Sequence, residues 1–162
     1  MAKDNIKLIS IICPVHNEEA SIPIFLQRLH DSILPLKDRY NFELIFINDG
    51  STDGTMGLIK EECDCNKTVQ LISLSRNFGY HPAVLSGLQH ASGVAMIIIA
   101  ADCEDPPEMI PSFITAWEQG YDIVYGIRGN RPEPLIVNLG RKLFYKISSA
   151  IADSDFVPYM GE

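Results

Sequence analysis

Five short runs of apolar and β-branched residues recur along the chain, at residues 8–15, 42–48, 69–75, 94–101 and 122–126, and each has the length and composition of a buried strand. Between them the apolar positions repeat at helical spacing. Residues 21–33 put Ile22, Phe25, Leu26 and Leu29 on one stripe, and residues 55–63, 82–91 and 107–119 read as the next three helices. Strand and helix therefore alternate. This predicts an α/β domain with a Rossmann-like, mainly parallel sheet flanked by helices, because parallel neighbours need crossover connections. The helix over 107–119 has the most explicit start, with Asp105 as N-cap, Pro106 at the first position and Glu108 placed for a capping box; Gly120 is expected to end it.

Past Arg128 the pattern changes. Pro132 and Pro134 interrupt the chain, and Ile136, Leu139, Leu143, Phe144, Ile147 and Ile151 then resume helical spacing over 135–151. We divide the chain into a core over residues 1–130 and an appended amphipathic segment starting within 131–162. The longest apolar run, residues 94–101, falls well short of the roughly 18 residues that span a bilayer. The N-terminus lacks a signal-peptide pattern. The chain as given reads as soluble or peripheral.

Length and composition, 162 residues with 46% hydrophobic content, fit one globular domain with a real core. A net charge of -8 without a basic run argues against a nucleic-acid partner. The charge is uneven, however: residues 128–147 carry Arg128, Arg131, Arg141, Lys142 and Lys146 against Glu133 alone. Cys63 and Cys65 form a Cys-x-Cys pair with no partner pair at zinc-like spacing, and Cys13 and Cys103 adjoin apolar runs, so the four read as reduced cytosolic thiols.

In open α/β sheets ligands bind outside the carboxyl ends of the strands, so the residues after each strand carry the chemistry. The first run ends in Pro14-Val15-His16-Asn17-Glu18-Glu19 and the second in Asn48-Asp49-Gly50-Ser51-Thr52-Asp53-Gly54. The third ends in Ser75-Arg76-Asn77-Phe78-Gly79 and the fourth in Asp102-Cys103-Glu104-Asp105. Any one cluster is also ordinary turn chemistry; four in register favour a site. Asp102 and Glu104, two apart in an extended stretch, would point the same way and offer oxygen ligands to one Mg²⁺ or Mn²⁺ ion. The competing reading makes Asp102 a cap and leaves Glu104 in solvent. Arg76 is either a phosphate fork or a partner for the rim carboxylates. No Gly-x-Gly-x-x-Gly, Gly-Lys-Ser/Thr or Gly-x-Ser-x-Gly sequence occurs, which disfavours dinucleotide, P-loop and serine-hydrolase sites. An Asp after a strand also fits a receiver-like phosphoacceptor at Asp49.

The ordered set Val15-His16-Asn17-Glu18-Glu19, Asn48-Asp49-Gly50-Ser51-Thr52-Asp53-Gly54-Thr55, Ser75-Arg76-Asn77-Phe78-Gly79 and Asp102-Cys103-Glu104-Asp105-Pro106-Pro107-Glu108 resembles the family-2 glycosyltransferases of GT-A fold. Within them it is most like the polyprenyl-phosphate (dolichyl- and undecaprenyl-phosphate) glycosyltransferases. The resemblance implies an inverting, metal-dependent transfer of a sugar from a UDP- or GDP-sugar to a polyprenyl phosphate. It implies that Pro14, His16, Glu18 and Asp49 hold the donor nucleoside, and that Asp102 ligands the metal at the donor phosphates with Glu104 beside it. It also puts Arg131 at the donor or acceptor phosphates.

Three positions depart from the family pattern. Ala100 replaces the first carboxylate of the usual Asp-x-Asp, Glu104 stands where a Gln is frequent, and His16 replaces a frequent Tyr. The chain also stops at Gly161-Glu162, before the transmembrane helices such relatives carry, so a truncated piece of a membrane-associated enzyme is expected, with its full-length form at the cytoplasmic face. The segment over 135–151 then reads as an amphipathic helix on the membrane surface, or as a helix packed on its own domain. Two other functions stay open: a soluble or polysaccharide-directed family-2 transferase, and a non-catalytic nucleotide-sugar-binding subunit.

Overall fold

The computed structural model describes residues 6–126. In chain order they form β1 (Lys7–Val15), α1 (Ile22–Ile33), a 3-10 turn (Leu34–Leu36), β2 (Tyr40–Asn48), α2 (Thr55–Cys65), β3 (Val69–Ser73) and α3 (Tyr80–His90). β4 (Ala95–Ile98), a second 3-10 turn (Pro107–Met109) and α4 (Ile110–Glu118) follow. The four strands make one sheet in the order β3-β2-β1-β4, and every pairing is parallel. The fold is thus the α/β architecture with a parallel sheet expected from the alternating pattern.

The central strands β1 and β2 are buried on both faces, which explains why they read as unbroken apolar runs instead of alternating ones. On one face Ile12, Ile45 and Ile47 pack with Ala83 of α3. Gly87 lets that helix approach, since a Cβ there would lie 2.5 Å from Cγ2 of Ile12 and 2.7 Å from Cδ1 of Ile47. Phe46, one position out of phase with Ile45 and Ile47, points to the other face and meets Phe25 of α1 edge-on at 6.2 Å. Ile22, Phe25 and Leu29 of the predicted stripe are buried, whereas Leu26 is half-buried.

A polar knot sits inside the sheet. The Ser10 hydroxyl donates to the Glu43 carboxylate at 2.5 Å and accepts from the Gly93 amide at 2.8 Å, while Ser92 N–H and the Gln70 side chain also donate to Glu43. Ser10 and Glu43 are register partners, so this knot ties β1, β2, β3 and the entry to β4 together.

Three expectations change. Residues 122–126 carry no strand: Ile123 is 82% exposed, with Tyr121 and Tyr125 exposed beside it, so their β-branched and aromatic composition finds no ladder among the described residues. β4 is shorter than 94–101, because pairing stops after the bond from Ile99 N–H to the Ile12 carbonyl and the chain leaves the sheet. The start of α4 also differs. Pro106 cannot be the first helical residue because Pro107 follows it and forces ψ to 126°, so Pro107 opens the 3-10 turn, and no side chain caps it. Gly120, at φ 98°, does close the helix.

The chain divides into two compact units, Met1–Ile114 and Thr115–Glu162. The boundary expected at residue 130, Arg131 and the amphipathic segment over 135–151 lie outside the described residues. Among the described residues no helix is long and apolar enough to cross a membrane.

Candidate functional site

The site begins where two strands part. The bonds from Ile99 N–H to the Ile12 carbonyl and from Asp49 N–H to the Val15 carbonyl fix the alternation of β1: even residues face β4 and odd residues face β2. Pro14 therefore turns its missing N–H toward β4, at a level where β4 has already left. The crevice between β1 and β4 is the reversal point of the strand order, the place where α/β sheets of this kind bind ligands.

The segments after β1 and β2 are stitched together. Asn17, held at φ 57°, receives the Thr52 amide on Oδ1 at 2.8 Å and donates its own N–H to the Ser51 hydroxyl at 3.0 Å. Glu18 N–H donates to the Thr55 hydroxyl at 2.8 Å, and the Glu19 carboxylate accepts Gly54 N–H at 2.9 Å while its own N–H donates to Asp53. The Thr55 hydroxyl, then backbone amides, hold the Asp53 carboxyl below the ordinary carboxylate range. The Glu18 carboxylate accepts the Ser21 hydroxyl at the start of α1.

His16 is exposed on this platform in a defined tautomer. A carbonyl only accepts, so His16 Nδ1 must donate to the Asp49 carbonyl at 2.7 Å, leaving Nε2 as the acceptor toward the Asn17 amide at 3.3 Å. Asp49 is buried, and its two carboxylate oxygens accept the Phe78 and Gly79 amides at 2.7 and 2.8 Å. The third segment thus hangs on the second. Gly50, at φ 66°, is required beneath it, since a Cβ would lie 2.5 Å from the Arg76 carbonyl carbon. The exposed Arg76 guanidinium stacks on the Phe78 ring at 4.7 Å.

The fourth segment is a turn, which corrects the extended geometry assumed for Asp102 and Glu104. Cys103 sits at φ 59° and Asp102 Oδ1 accepts the Glu104 N–H at 2.9 Å, so spacing by two does not by itself align these exposed carboxylates. The segment still belongs to the same rim. Burial, then the charges of Asp102, Cys103 and Glu18, push the buried Cys13 thiol of β1 well up. Beyond the turn, the Glu108 carboxylate accepts two bonds from Arg28 of α1, at 2.8 and 2.7 Å, instead of closing a capping box. The Arg28 fork in turn holds the Glu108 carboxyl below its ordinary range.

Among the described residues no group of three or more His, Cys, Asp and Glu side chains is placed to hold a metal ion. What the rim offers is a platform of fixed imidazole, amides and carboxylates beside one acidic turn. Pro14, His16, Glu18, Asp49, Arg76, Asp102 and Glu104 all fall on it; Arg131 is outside the described residues. The sequence reading missed Arg28, whose position on the polar side of α1 carries no local signal, and the Ser10–Glu43 knot, whose only sign was polar residues inside apolar runs.

Comparison with known proteins agrees with this arrangement. A family model described as glycosyl transferase family 2 matches residues 10–147. The chain is 38% identical over 147 residues to an uncharacterised glycosyltransferase, YkcC, of Bacillus subtilis strain 168, covering 90% of this chain and 45% of that protein. It is 39% identical over 148 residues to an undecaprenyl-phosphate 4-deoxy-4-formamido-L-arabinose transferase of Aeromonas hydrophila, covering 90% and 44%. Among solved structures it resembles the mannosyltransferase PcManGT of Pyrobaculum calidifontis in complex with GDP-Man and Mn²⁺, with TM-score 0.60, 20% identity, and coverage of 86% of this chain and 37% of that one. The chain spans about half the length of the curated relatives it matches.

Proposed function

We propose, from the premise that the chain belongs to glycosyl transferase family 2, that the protein transfers a sugar from a nucleoside diphosphate to a polyprenyl phosphate with inversion. The observation that carries this reading is the joining of three polar segments along one rim, with the acidic turn of Asp102 following β4 beyond the point where β1 and β4 part. The similarity to an undecaprenyl-phosphate sugar transferase supports the lipid acceptor.

In this reading Pro14, His16, Glu18 and Asp49 receive the nucleoside, with the fixed His16 ring as a flat contact for the base. Arg76 can leave its stack on Phe78 to meet a phosphate at little cost, both groups being exposed. Arg131 serves the donor or acceptor phosphates.

The donor chemistry at the acidic turn fits a hard divalent ion, Mg²⁺ or Mn²⁺. Asp102 and Glu104 offer carboxylate oxygens, and such ions take their other ligands from water and substrate phosphates. When bound, the ion neutralises charge on the departing diphosphate. The acceptor phosphate is already ionised at neutral pH, so the chain's residues supply orientation and exclusion of water, and no strong base is needed. The full-length protein would work at the cytoplasmic face of a membrane, with residues 135–151 along its surface.

The test is turnover by the full-length protein with Mn²⁺, a polyprenyl phosphate and a panel of UDP- and GDP-sugars, alongside calorimetry of UDP and GDP binding. Consumption of one donor, and loss of metal-dependent binding in Asp102→Ala, is expected. No turnover despite tight binding would favour the non-catalytic subunit, the reading that Ala100 supports by removing one carboxylate. Metal-dependent binding that survives Asp102→Ala would move the site elsewhere.

A further inference from the structure

We infer that Arg28 is a positioning residue: its fork on Glu108 fastens the acidic turn to α1 and so holds Asp102 and Glu104 where a metal-bound diphosphate needs them. The inference rests on the donor-binding reading of this rim. Three observations carry it. The turn leaves β4 after Ile98 and has no ladder of its own, yet Cys103 holds a left-handed conformation at φ 59° that a non-glycine residue keeps only when its surroundings impose it. Downstream, Pro106 and Pro107 form a stiff strut ending in the 3-10 turn that carries Glu108. Across 80 residues of sequence, Arg28 then takes both oxygens of Glu108 with Nε and Nη2 at 2.8 and 2.7 Å. One side chain of α1 thus grips the chain just past the turn, at the end of the proline strut.

The exposure of the pair decides between stability and positioning. The side chains are 35% and 53% exposed, and ion pairs so open to water add little to global stability. A two-point fork does fix direction, which a lysine with the same charge does not. Groups that orient metal ligands from outside the coordination sphere commonly govern affinity without touching the ion.

The experiment compares the full-length wild type with Arg28→Lys, Glu108→Gln and the exchanged pair R28E/E108R. One arm follows alkylation of Cys103 in metal-free protein by mass spectrometry of its peptide, needing neither nucleotide nor metal. The other follows UDP and GDP binding as Mn²⁺ is titrated, with EDTA as control. In Arg28→Lys and Glu108→Gln, Cys103 alkylation should rise about fivefold, the factor by which losing an exposed pair favours local opening. Apparent Mn²⁺ affinity should fall about 10-fold or more, with metal-free nucleotide binding unchanged. The exchanged pair should recover part of both.

Unchanged alkylation would overturn the clamp, and faster alkylation with an unchanged Mn²⁺ response would overturn its role at the metal. A wild type that binds neither nucleotide would instead sink the donor-site reading, while the alkylation arm still judged the clamp.

Discussion

The buried Asp49 carboxylate and the Gly79 amide, 30 residues apart in sequence, meet at 2.8 Å, and the neighbouring Phe78 amide meets the other carboxylate oxygen at 2.7 Å. Asp49 is thus the peg on which the loop carrying Arg76 hangs. Asp49→Ala strips the Phe78 amide of this acceptor and should cost about 2 kcal/mol, read from urea unfolding with an unchanged slope. Asp49→Asn, which keeps one acceptor, should cost less. Equal losses in the two variants would show that the paired bonds are not what matters.

Gly50→Ala should be at least as costly. Its φ of 66° disfavours any Cβ, and the Cβ would meet Arg76 and Asn77 backbone atoms that cannot swing aside. Strain and overpacking together predict about 2 kcal/mol or more. Thermal unfolding checks the loss, and weaker nucleotide binding in the folded fraction checks displacement of the Arg76 loop.

Ser10→Ala removes a fully buried hydroxyl that donates to Glu43 and accepts from Gly93. A bond to a charged group and a satisfied amide are lost together, so about 2 kcal/mol is expected by chemical denaturation. Because Ser10 is distant in register from the carboxyl end of β1, nucleotide affinity of the folded protein should be unchanged.

The pH dependence has two arms of opposite sign. Glu108, lowered by Arg28, contributes stability that is complete above about pH 4.3 and lost as pH falls through its depressed value. Cys13, raised by burial, contributes stability that is complete below about pH 8.5 and lost as pH climbs from there through its raised value. Glu108→Gln should flatten the acid arm slightly, since the pair is exposed. Cys13→Ala should weaken the alkaline one, to which the raised Cys63 thiol also contributes. In native protein at neutral pH, Cys65 should alkylate and Cys13 should not; rapid labelling of Cys13 would contradict its burial.

These residues also show what the sequence made legible. The three helices α1 to α3 follow from periodicity because each buries a face, and β1 and β2, covered on both faces, must be apolar throughout; β3 and β4, at the sheet's edges, follow from apolar and β-branched composition. The fate of residues 122–126 was not legible: composition reports β propensity, but a strand exists only where a neighbour pairs with it. At the rim, residue type marked the clusters after β1, β2, β3 and β4, because turn-forming and ligand-binding residues share side-chain oxygens. Partner choice was hidden. Nothing local says that Glu108 will prefer Arg28 to a capping box, or that Asp49 will spend both oxygens on amides, since each choice is made across a long loop.

The strand order has a consequence for how the molecule is made. β1, β2 and β3 pair in sequence order through short crossovers, so they can assemble as soon as they leave the ribosome. β4 must return to the open side of β1, where Gly93 bonds Ser10 across 83 residues of chain, a closure that is entropically late. The acidic turn follows β4 and cannot be set before it docks. In the reading proposed above, a nascent chain would therefore complete its nucleoside platform before its place for metal, and interruption of synthesis or a slow β4 would leave a binder without the means to react.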